Sequence, residues 1–236
     1  MRRAILRVLK IEQSKASALS NPRKLVAVLS DVLLTIALFA ILYAGYQTYW
    51  SSFVSSRQTT TARNEIESQW TKSPSVMPEP HKGFALIYIP RLRNKVWALP
   101  IVDGVTPHDL IPGMGHYPET KLPGESGNFA IAGHRSTNGE PLANVNLLKQ
   151  GDEVIVQTAT NWYVYTLVMD QIVKPGATWV LEDNPGGLVN KTGIPEVLTI
   201  TTCDPRWGST RRWIWWASLK QALPITQVPN TISAVK

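Results

Sequence analysis

The longest apolar stretch of the chain lies near its start, at residues 25–46. As a helix it would be about 33 Å long, which is enough to cross the hydrocarbon core of a bilayer. Asp31 interrupts the stretch close to one interface, where a carboxylate costs less than at the membrane centre. The stretch therefore predicts a transmembrane anchor over residues 25–50. A cleaved signal peptide and a buried helix of a soluble protein are the two alternatives.

Charged and aromatic residues on the two sides of this stretch predict its orientation. Residues 1–24 hold seven basic residues and one acidic residue, so this tail carries six of the seven net positive charges. Tyr43, Tyr46, Tyr49 and Trp50 form an aromatic belt at the other end. Because basic flanks stay inside, we expect a single-pass cell-membrane protein with a cytoplasmic N-terminus and an extracellular bulk. The remainder is nearly neutral, which argues against nucleic-acid binding.

Composition divides the chain beyond the anchor into two parts. Residues 51–81 are rich in Ser, Thr, Gln and Pro and predict an extracytoplasmic stalk, with some helix over residues 62–70. From residue 82 onward, short apolar runs alternate with Gly and Pro, the pattern of short strands joined by turns. Strands are expected at residues 84–89, 99–102, 128–132, 153–158, 162–173, 197–202 and 213–219, and short helices at 106–111 and 142–148.

Residues 82–236 are therefore predicted to form an all-β domain. Seven or more short strands at this spacing indicate a closed or nearly closed barrel of about eight strands, with short helices in its connections. We expect this domain to carry the function, because the segments before it read as tail, anchor and stalk.

The chain has one cysteine, Cys203. In an extracytoplasmic protein a single cysteine cannot form an internal disulfide, so its thiol is either reactive or an incidental small apolar group. A β-branched strand ends at Cys203, and the following Asp204 and Pro205 predict a turn, which places the thiol at an exposed strand tip. Asp204 would oppose formation of a thiolate, so a positive partner has to come from elsewhere.

Two further positions can supply that partner. An apolar strand runs into Gly133 and His134, and a histidine at a strand end can project into a cleft, where its imidazolium form favours a nearby thiolate. The alternative is a structural or surface histidine. Arg211 and Arg212 open the strand at residues 213–216, and alternation places them on opposite faces. Alternation does not say which arginine faces the cleft.

Together these residues resemble the sortase family, and within it the class E housekeeping type of Gram-positive actinobacteria. The family's histidine motif is matched by residues 127–135 (Gly-Asn-Phe-Ala-Ile-Ala-Gly-His-Arg), and its cysteine motif, Thr-Leu-x-Thr-Cys, by residues 198–203. Its arginine is matched by Arg212, nine residues past the cysteine. The stretches at residues 113–118 and 122–124 also resemble class E, and the whole resemblance covers residues 84–219. Residues 136–138 and the Trp-rich strand depart from the family pattern.

The resemblance implies a membrane-anchored cysteine transpeptidase. Cys203 would be the nucleophile, His134 the general acid and base, and Arg212 the group that stabilises the oxyanion or binds substrate backbone. The substrate would be a secreted protein with a C-terminal sorting signal of the Leu-Pro/Ala-x-Thr-Gly kind, cleaved between Thr and Gly through a thioacyl-enzyme. The acceptor would be an amine of a lipid-linked peptidoglycan precursor.

Thr202, His116 and Tyr117 are additional candidates for substrate contact, and His116 could equally hold a loop together. No metal or cofactor is expected, because the four histidines lack metal-ligand spacing and no dense carboxylate cluster suggests calcium.

Two alternatives to this interpretation use the same residues. A pilin-polymerising or other-class sortase differs in its acceptor, and a cysteine peptidase transfers the acyl group to water. An L,D-transpeptidase is disfavoured, because its Ser-x-Gly-Cys-x-x-Arg signature is absent from the sequence. A membrane-tethered β-domain that only binds would leave Cys203 unreactive.

Overall fold

The computed structural model describes residues 22–46, 51–73 and 77–234. The chain divides into two compact units, residues 1–50 and 51–236. The described residues of the first unit form the helix α1 (Pro22–Gly45), with none of its residues buried. Its mean hydropathy of 2.6 over 18 residues makes it long and apolar enough to span a bilayer, which agrees with the predicted anchor. The basic tail up to residue 21, and Tyr49 and Trp50 of the aromatic belt, lie outside the described residues.

Over residues 51–73 and 77–234 the second unit contains eight strands and one long helix. The helix is α2 (Ser51–Lys72). The strands are β1 (Gly83–Tyr88), β2 (Leu99–Asp103), β3 (Met114–His116), β4 (Gly127–Ala132), β5 (Glu153–Gln157), β6 (Asn161–Val173), β7 (Glu196–Asp204) and β8 (Arg211–Pro224). Short 3₁₀ helices occupy Pro90–Leu92, Val145–Leu147, Thr178–Leu181 and Pro185–Gly187, followed by α3 (Leu188–Thr192) and α4 (Asn230–Ser233).

The strands close into a barrel in the order β1-β2-β3-β4-β7-β8-β6-β5. The β2–β3 and β4–β7 pairs are parallel, and the other neighbours are antiparallel. The predicted all-β, eight-stranded barrel with short helices is therefore confirmed. The helix expected at residues 106–111 is a series of turns instead, because the Asp109 carboxylate accepts hydrogen bonds from the Thr106 backbone and hydroxyl.

Alternation along β4 and β7 sets which side chains enter the barrel. Phe129 and Ile131 of β4, with Leu198 and Ile200 of β7, belong to the main core. Residues of the other parity face outward, and most are still covered. Val197 of β7 packs under residues 180–189 in a separate apolar cluster. Both faces of these strands are thus buried over much of their length, which explains their nearly continuous apolar sequence.

Helix α2 packs against the outside of the barrel. The Ser55 and Thr59 hydroxyls donate to the carbonyls of Ile111 and Pro112 at 2.7 and 2.6 Å, and Arg63 Nε donates to the Ala98 carbonyl at 2.9 Å. These residues lie on one helix face, at intervals of about four. Residues 51–72 of the segment expected to be a stalk form a continuous helix, longer than the helix expected over residues 62–70, within the same compact unit as the barrel.

One aliphatic side chain of α2, Ile66, reaches an apolar cluster on the barrel surface. It is 1% exposed and approaches the backbone of Gly83 so closely that a Cβ there would lie 2.6 Å from Ile66 Cδ1. Most of the rest of the docking face is polar, so hydropathy alone does not reveal that this helix is docked.

Candidate active site

The parallel pairing of β4 with β7 brings the histidine and cysteine segments together. Their ladder ends at Ala132 opposite Thr201. It is extended by the Gly133 amide, which donates to the Thr201 carbonyl at 3.0 Å, and by the Thr202 hydroxyl, which donates to the Gly133 carbonyl at 2.8 Å. The same register, continued two residues past the Ala132–Thr201 pair, sets His134 opposite Cys203.

The antiparallel pairing of β7 with β8 decides which arginine accompanies the cysteine. Cys203 pairs with Arg212, and Asp204 pairs with Arg211. Cross-strand partners project from the same face of a sheet, so Arg212 shares the thiol's face and Arg211 the opposite one. His134, Cys203 and Arg212 therefore form one row across three neighbouring strand ends.

Cys203 and His134 are both half-buried at the rim of the barrel. Burial lowers the pKa of His134 below its ordinary value of 6.5, so the neutral imidazole is favoured in the free protein. The His134 Nε2 atom is buried and has no hydrogen-bond partner within the part of the chain that the structure describes. Such a nitrogen is available to exchange a proton with a ligand.

Arg212 is half-buried, and its Nη1 atom donates to the carbonyls of Ser209 and Arg211, both at 2.9 Å. These bonds hold the guanidinium against the β7–β8 loop. Arg212 also lines a cavity of about 230 Å³. The other lining residues are Tyr117, Val173, Lys174, Pro175, Ala177, Thr178, Val180, Leu181, Thr201 and Ile214. This cavity borders the row on the outer face of β7.

The three additional candidates for substrate contact lie in different surroundings. The Tyr117 hydroxyl is 3.1 Å from the Thr201 hydroxyl, and both residues line the cavity. Thr202 points to the barrel interior, where it joins β7 to Gly133. His116 is 2% exposed, and its ring nitrogens lie 2.8 Å from Asp103 Oδ1 and 3.1 Å from the Lys121 carbonyl. The structure therefore brings Tyr117 to the cavity, but not Thr202 or His116.

Two features of the site were missed by the sequence analysis. Thr201 lines the cavity beside Arg212, and its position two residues before the cysteine, hence on the same strand face, was the available signal. Asp204, expected to oppose the thiolate, projects from the opposite face of β7. Its carboxylate lies 2.7 Å from Arg135 and 2.7 Å from Arg211, the latter an ion pair without hydrogen-bond geometry.

The described residues offer no cluster of three or more His, Cys, Asp or Glu side chains that could hold a metal ion. The groups gathered at this barrel rim are a thiol, an imidazole and a guanidinium. These are a nucleophile, a proton-transfer group and a fixed donor of charged hydrogen bonds, which is the equipment of a cysteine acyl-transfer enzyme.

Comparison with known proteins identifies the family. The Sortase domain family matches residues 87–220, which is more than half of the chain. The chain therefore belongs to the sortase family, whose members are cysteine transpeptidases.

Its relatives include class E sortases. The chain is 32% identical to sortase SrtE1 of Streptomyces coelicolor over 207 residues, covering 83% of this chain and 57% of that protein's length. The structure of sortase E from Streptomyces avermitilis has a TM-score of 0.57 and 34% identity, covering 65% of this chain and 99% of that one. The crystal structure of sortase E1 from S. coelicolor with a tripeptide in its active site has a TM-score of 0.58 and 30% identity, covering 66% and 99%.

Proposed function

We propose that this chain is a membrane-anchored class E-like sortase. It cleaves a C-terminal sorting signal of the Leu-Pro/Ala-x-Thr-Gly kind between Thr and Gly, and transfers the carboxyl side of Thr to an amine of a lipid-linked peptidoglycan precursor. The observation that carries the proposal is the row of His134, Cys203 and Arg212 across β4, β7 and β8, in a chain of this family.

The reaction begins when the Cys203 sulfur attacks the carbonyl carbon of the substrate threonine. The thiol proton moves to His134, which is neutral in the free protein because burial lowers its pKa and can therefore accept it. The carbonyl oxygen becomes an oxyanion, and the guanidinium of Arg212 donates hydrogen bonds to it or to the neighbouring substrate backbone. Arg212 shares the thiol's strand face, as this role requires.

Collapse of the tetrahedral intermediate breaks the bond between the threonine carbonyl carbon and the glycine nitrogen. His134, now an imidazolium, gives its proton to the departing amine. The product is a thioester between Cys203 and the threonine. An acceptor amine then attacks this thioester, His134 takes a proton from it, and the sulfur leaves as the new amide bond forms.

The cavity beside the row is the place we assign to the sorting signal. It offers Tyr117 and Thr201 hydroxyls, the Arg212 guanidinium, and the apolar side chains of Val180, Leu181 and Ile214. Hydroxyls and a guanidinium can bind a peptide backbone, and the apolar wall can cover an aliphatic side chain. We assign Tyr117 to substrate contact, and Thr202 and His116 to holding β7 and the 116–121 segment in place.

The anchor and the basic tail support one orientation of the chain across the membrane. Helix α1 is mostly apolar, with Asp31 near its start, and the seven basic residues of the tail precede or begin it. By the positive-inside rule, the N-terminus is cytoplasmic and the catalytic domain extracellular. Secreted proteins and lipid-linked wall precursors would both be accessible to a domain in that position.

The test compares the full chain with its Cys203→Ala variant in detergent micelles, using a sorting-signal peptide and an added amine. We expect the wild type to give a Thr–amine product and the variant to lose at least about 10³-fold in rate. Cleavage retained in the variant would end the proposal. Omitting the amine identifies the alternative peptidase, because a peptidase releases the free threonine carboxylate at the same rate with or without it.

A further inference from the structure

Arg135 is a buried cation that contacts the nucleophile's own backbone. It follows His134 directly in sequence and is 8% exposed. Its Nη1 atom donates to the Cys203 carbonyl at 3.2 Å and to Asp204 Oδ1 at 2.7 Å. Its guanidinium also lies 5.0 Å from the centre of the ring of Trp213, the residue that follows Arg212 in β8. One side chain thus touches segments belonging to all three members of the catalytic row.

The carboxylate that Arg135 binds would disturb the site if it were left alone. Asp204 is 6% exposed and directly follows Cys203. A buried charge without a partner is strongly destabilising, and a negative charge near a thiol disfavours its thiolate. The other cation at this carboxylate, Arg211, has a side chain that is 56% exposed, so solvent screens its contribution. Most of the compensation therefore falls to Arg135.

We propose that Arg135 is a positioning residue for transpeptidation: it holds the Asp204 carboxylate on the face of β7 away from the thiol and fixes the Cys203 backbone beside His134. The inference rests on the proposed function, because it takes Cys203 as the nucleophile. Arg135 acts through the backbone of Cys203 and the carboxylate of Asp204.

The two parts of this role can be separated by chemistry. A lysine keeps the positive charge of Arg135 but replaces the planar fork with a single flexible ammonium. Arg135→Lys should therefore preserve charge compensation and lose the fixed placement of the Cys203 carbonyl. Arg135→Met loses both, while Asp204→Asn on that background removes the uncompensated charge and leaves the misplacement.

The experiment measures the pH dependence of Cys203 alkylation by iodoacetamide, and kcat and KM for a sorting-signal peptide, on the full chain in micelles. The charged and titratable groups on the strand ends that carry the thiol and the carboxylate are His134, Arg135, Arg211 and Arg212, and Arg206, paired with Glu140, lies in the loop after Asp204. The test variants change only Arg135 and Asp204. The matched control is Arg211→Met, which removes the other cation from the same carboxylate.

In Arg135→Met we expect the alkylation midpoint to rise by about one pH unit, because the Asp204 carboxylate, on the residue next to the thiol, loses its buried cation. We expect kcat to fall at least about tenfold, with KM changed less than about twofold. Arg135→Lys should keep the wild-type midpoint and show the loss in kcat. Adding Asp204→Asn to Arg135→Met should restore the midpoint but not kcat. Arg211→Met should move the alkylation midpoint by less than about 0.3 pH unit and change kcat less than about twofold.

The proposal is overturned if Arg135→Lys has the wild-type kcat, or if Arg211→Met matches the effect of Arg135→Met. It is also overturned if the double variant regains the wild-type kcat, since charge alone would then account for the effect. If Arg135→Met fails to fold by circular dichroism, the lysine and double variants decide. A wild type no more active than Cys203→Ala refutes the proposed function instead, so the two failures are distinguishable.

Discussion

Ile66 is the apolar anchor of helix α2, and replacing it with alanine is expected to loosen the helix from the barrel. The side chain is 1% exposed. It packs in a cluster with Leu86, Tyr88, Ile155, Trp162 and Val164. Among residues 53–72, Ile66 and Ser55 are the two buried residues, and Ser55 is polar. Ile66 therefore provides much of the hydrophobic contribution to docking.

The size of the effect follows from the three carbon atoms that the change removes. At about 0.8 kcal/mol for each buried methylene-sized group, lost transfer free energy amounts to about 2.4 kcal/mol. The residual cavity adds to this, and buried Ile-to-Ala changes generally cost about 2–5 kcal/mol. The polar contacts of Ser55, Thr59 and Arg63 remain, so we expect the free energy of docking to fall by about 2–4 kcal/mol.

Amide hydrogen exchange of the full chain in micelles measures this loss locally. A decrease of about 2–4 kcal/mol speeds exchange of the α2 amides by about 30-fold to about 1000-fold if they exchange through undocking. The control is Ser68→Ala on the exposed side of the same helix, which should change these rates little. Wild-type exchange rates of α2 in Ile66→Ala would refute the reasoning, because Trp70 and the polar contacts would then be enough to hold the helix.

Two further predictions concern stability at the site. Thr202→Val removes the buried hydroxyl that donates to the Gly133 carbonyl, and it should lower the free energy of unfolding by about 1–3 kcal/mol. The loss is measured as a lower urea midpoint at constant m-value, and an unchanged midpoint would mean that this bond contributes nothing to stability. Because burial lowers the pKa of His134, the unfolded chain binds more protons than the folded one between that lowered pKa and 6.5, so stability is lost as the pH falls through this window. His134→Gln should therefore flatten the decline in unfolding free energy between about pH 7 and pH 5, and equal slopes for the two proteins would contradict this.

The site could be predicted from sequence where its residues carry their own local signals. Cys203 comes at the end of a β-branched stretch, and His134 follows an apolar stretch and Gly133. Both patterns predict a position at the end of a strand. Alternation alone could not decide between Arg211 and Arg212, because it says that they face opposite sides of the sheet but not which of them shares the thiol's side. The pairing of Cys203 with Arg212 decides this.

Features that depend on contacts between distant segments were not predictable in the same way. Strand β3 has three residues, one of them a glycine, and gives too short a pattern to recognise. The docking of α2 rests on Ile66 and on hydroxyls bonded to loop carbonyls, which hydropathy does not register. Likewise, Asp204 appeared to be an unfavourable neighbour of the thiol, because its partner Arg135 is 69 residues away in sequence.

The parallel pairing of β4 with β7 also sets the order in which the site can be assembled during synthesis. The Thr202–Gly133 bond joins residues 69 positions apart, and such long-range pairings form slowly. A chain made only as far as β6 contains Tyr117 and His134 but no thiol. The Cys203 sulfur therefore enters the molecule after six of the eight barrel strands. A chain that ends before β7 therefore cannot form an acylated product.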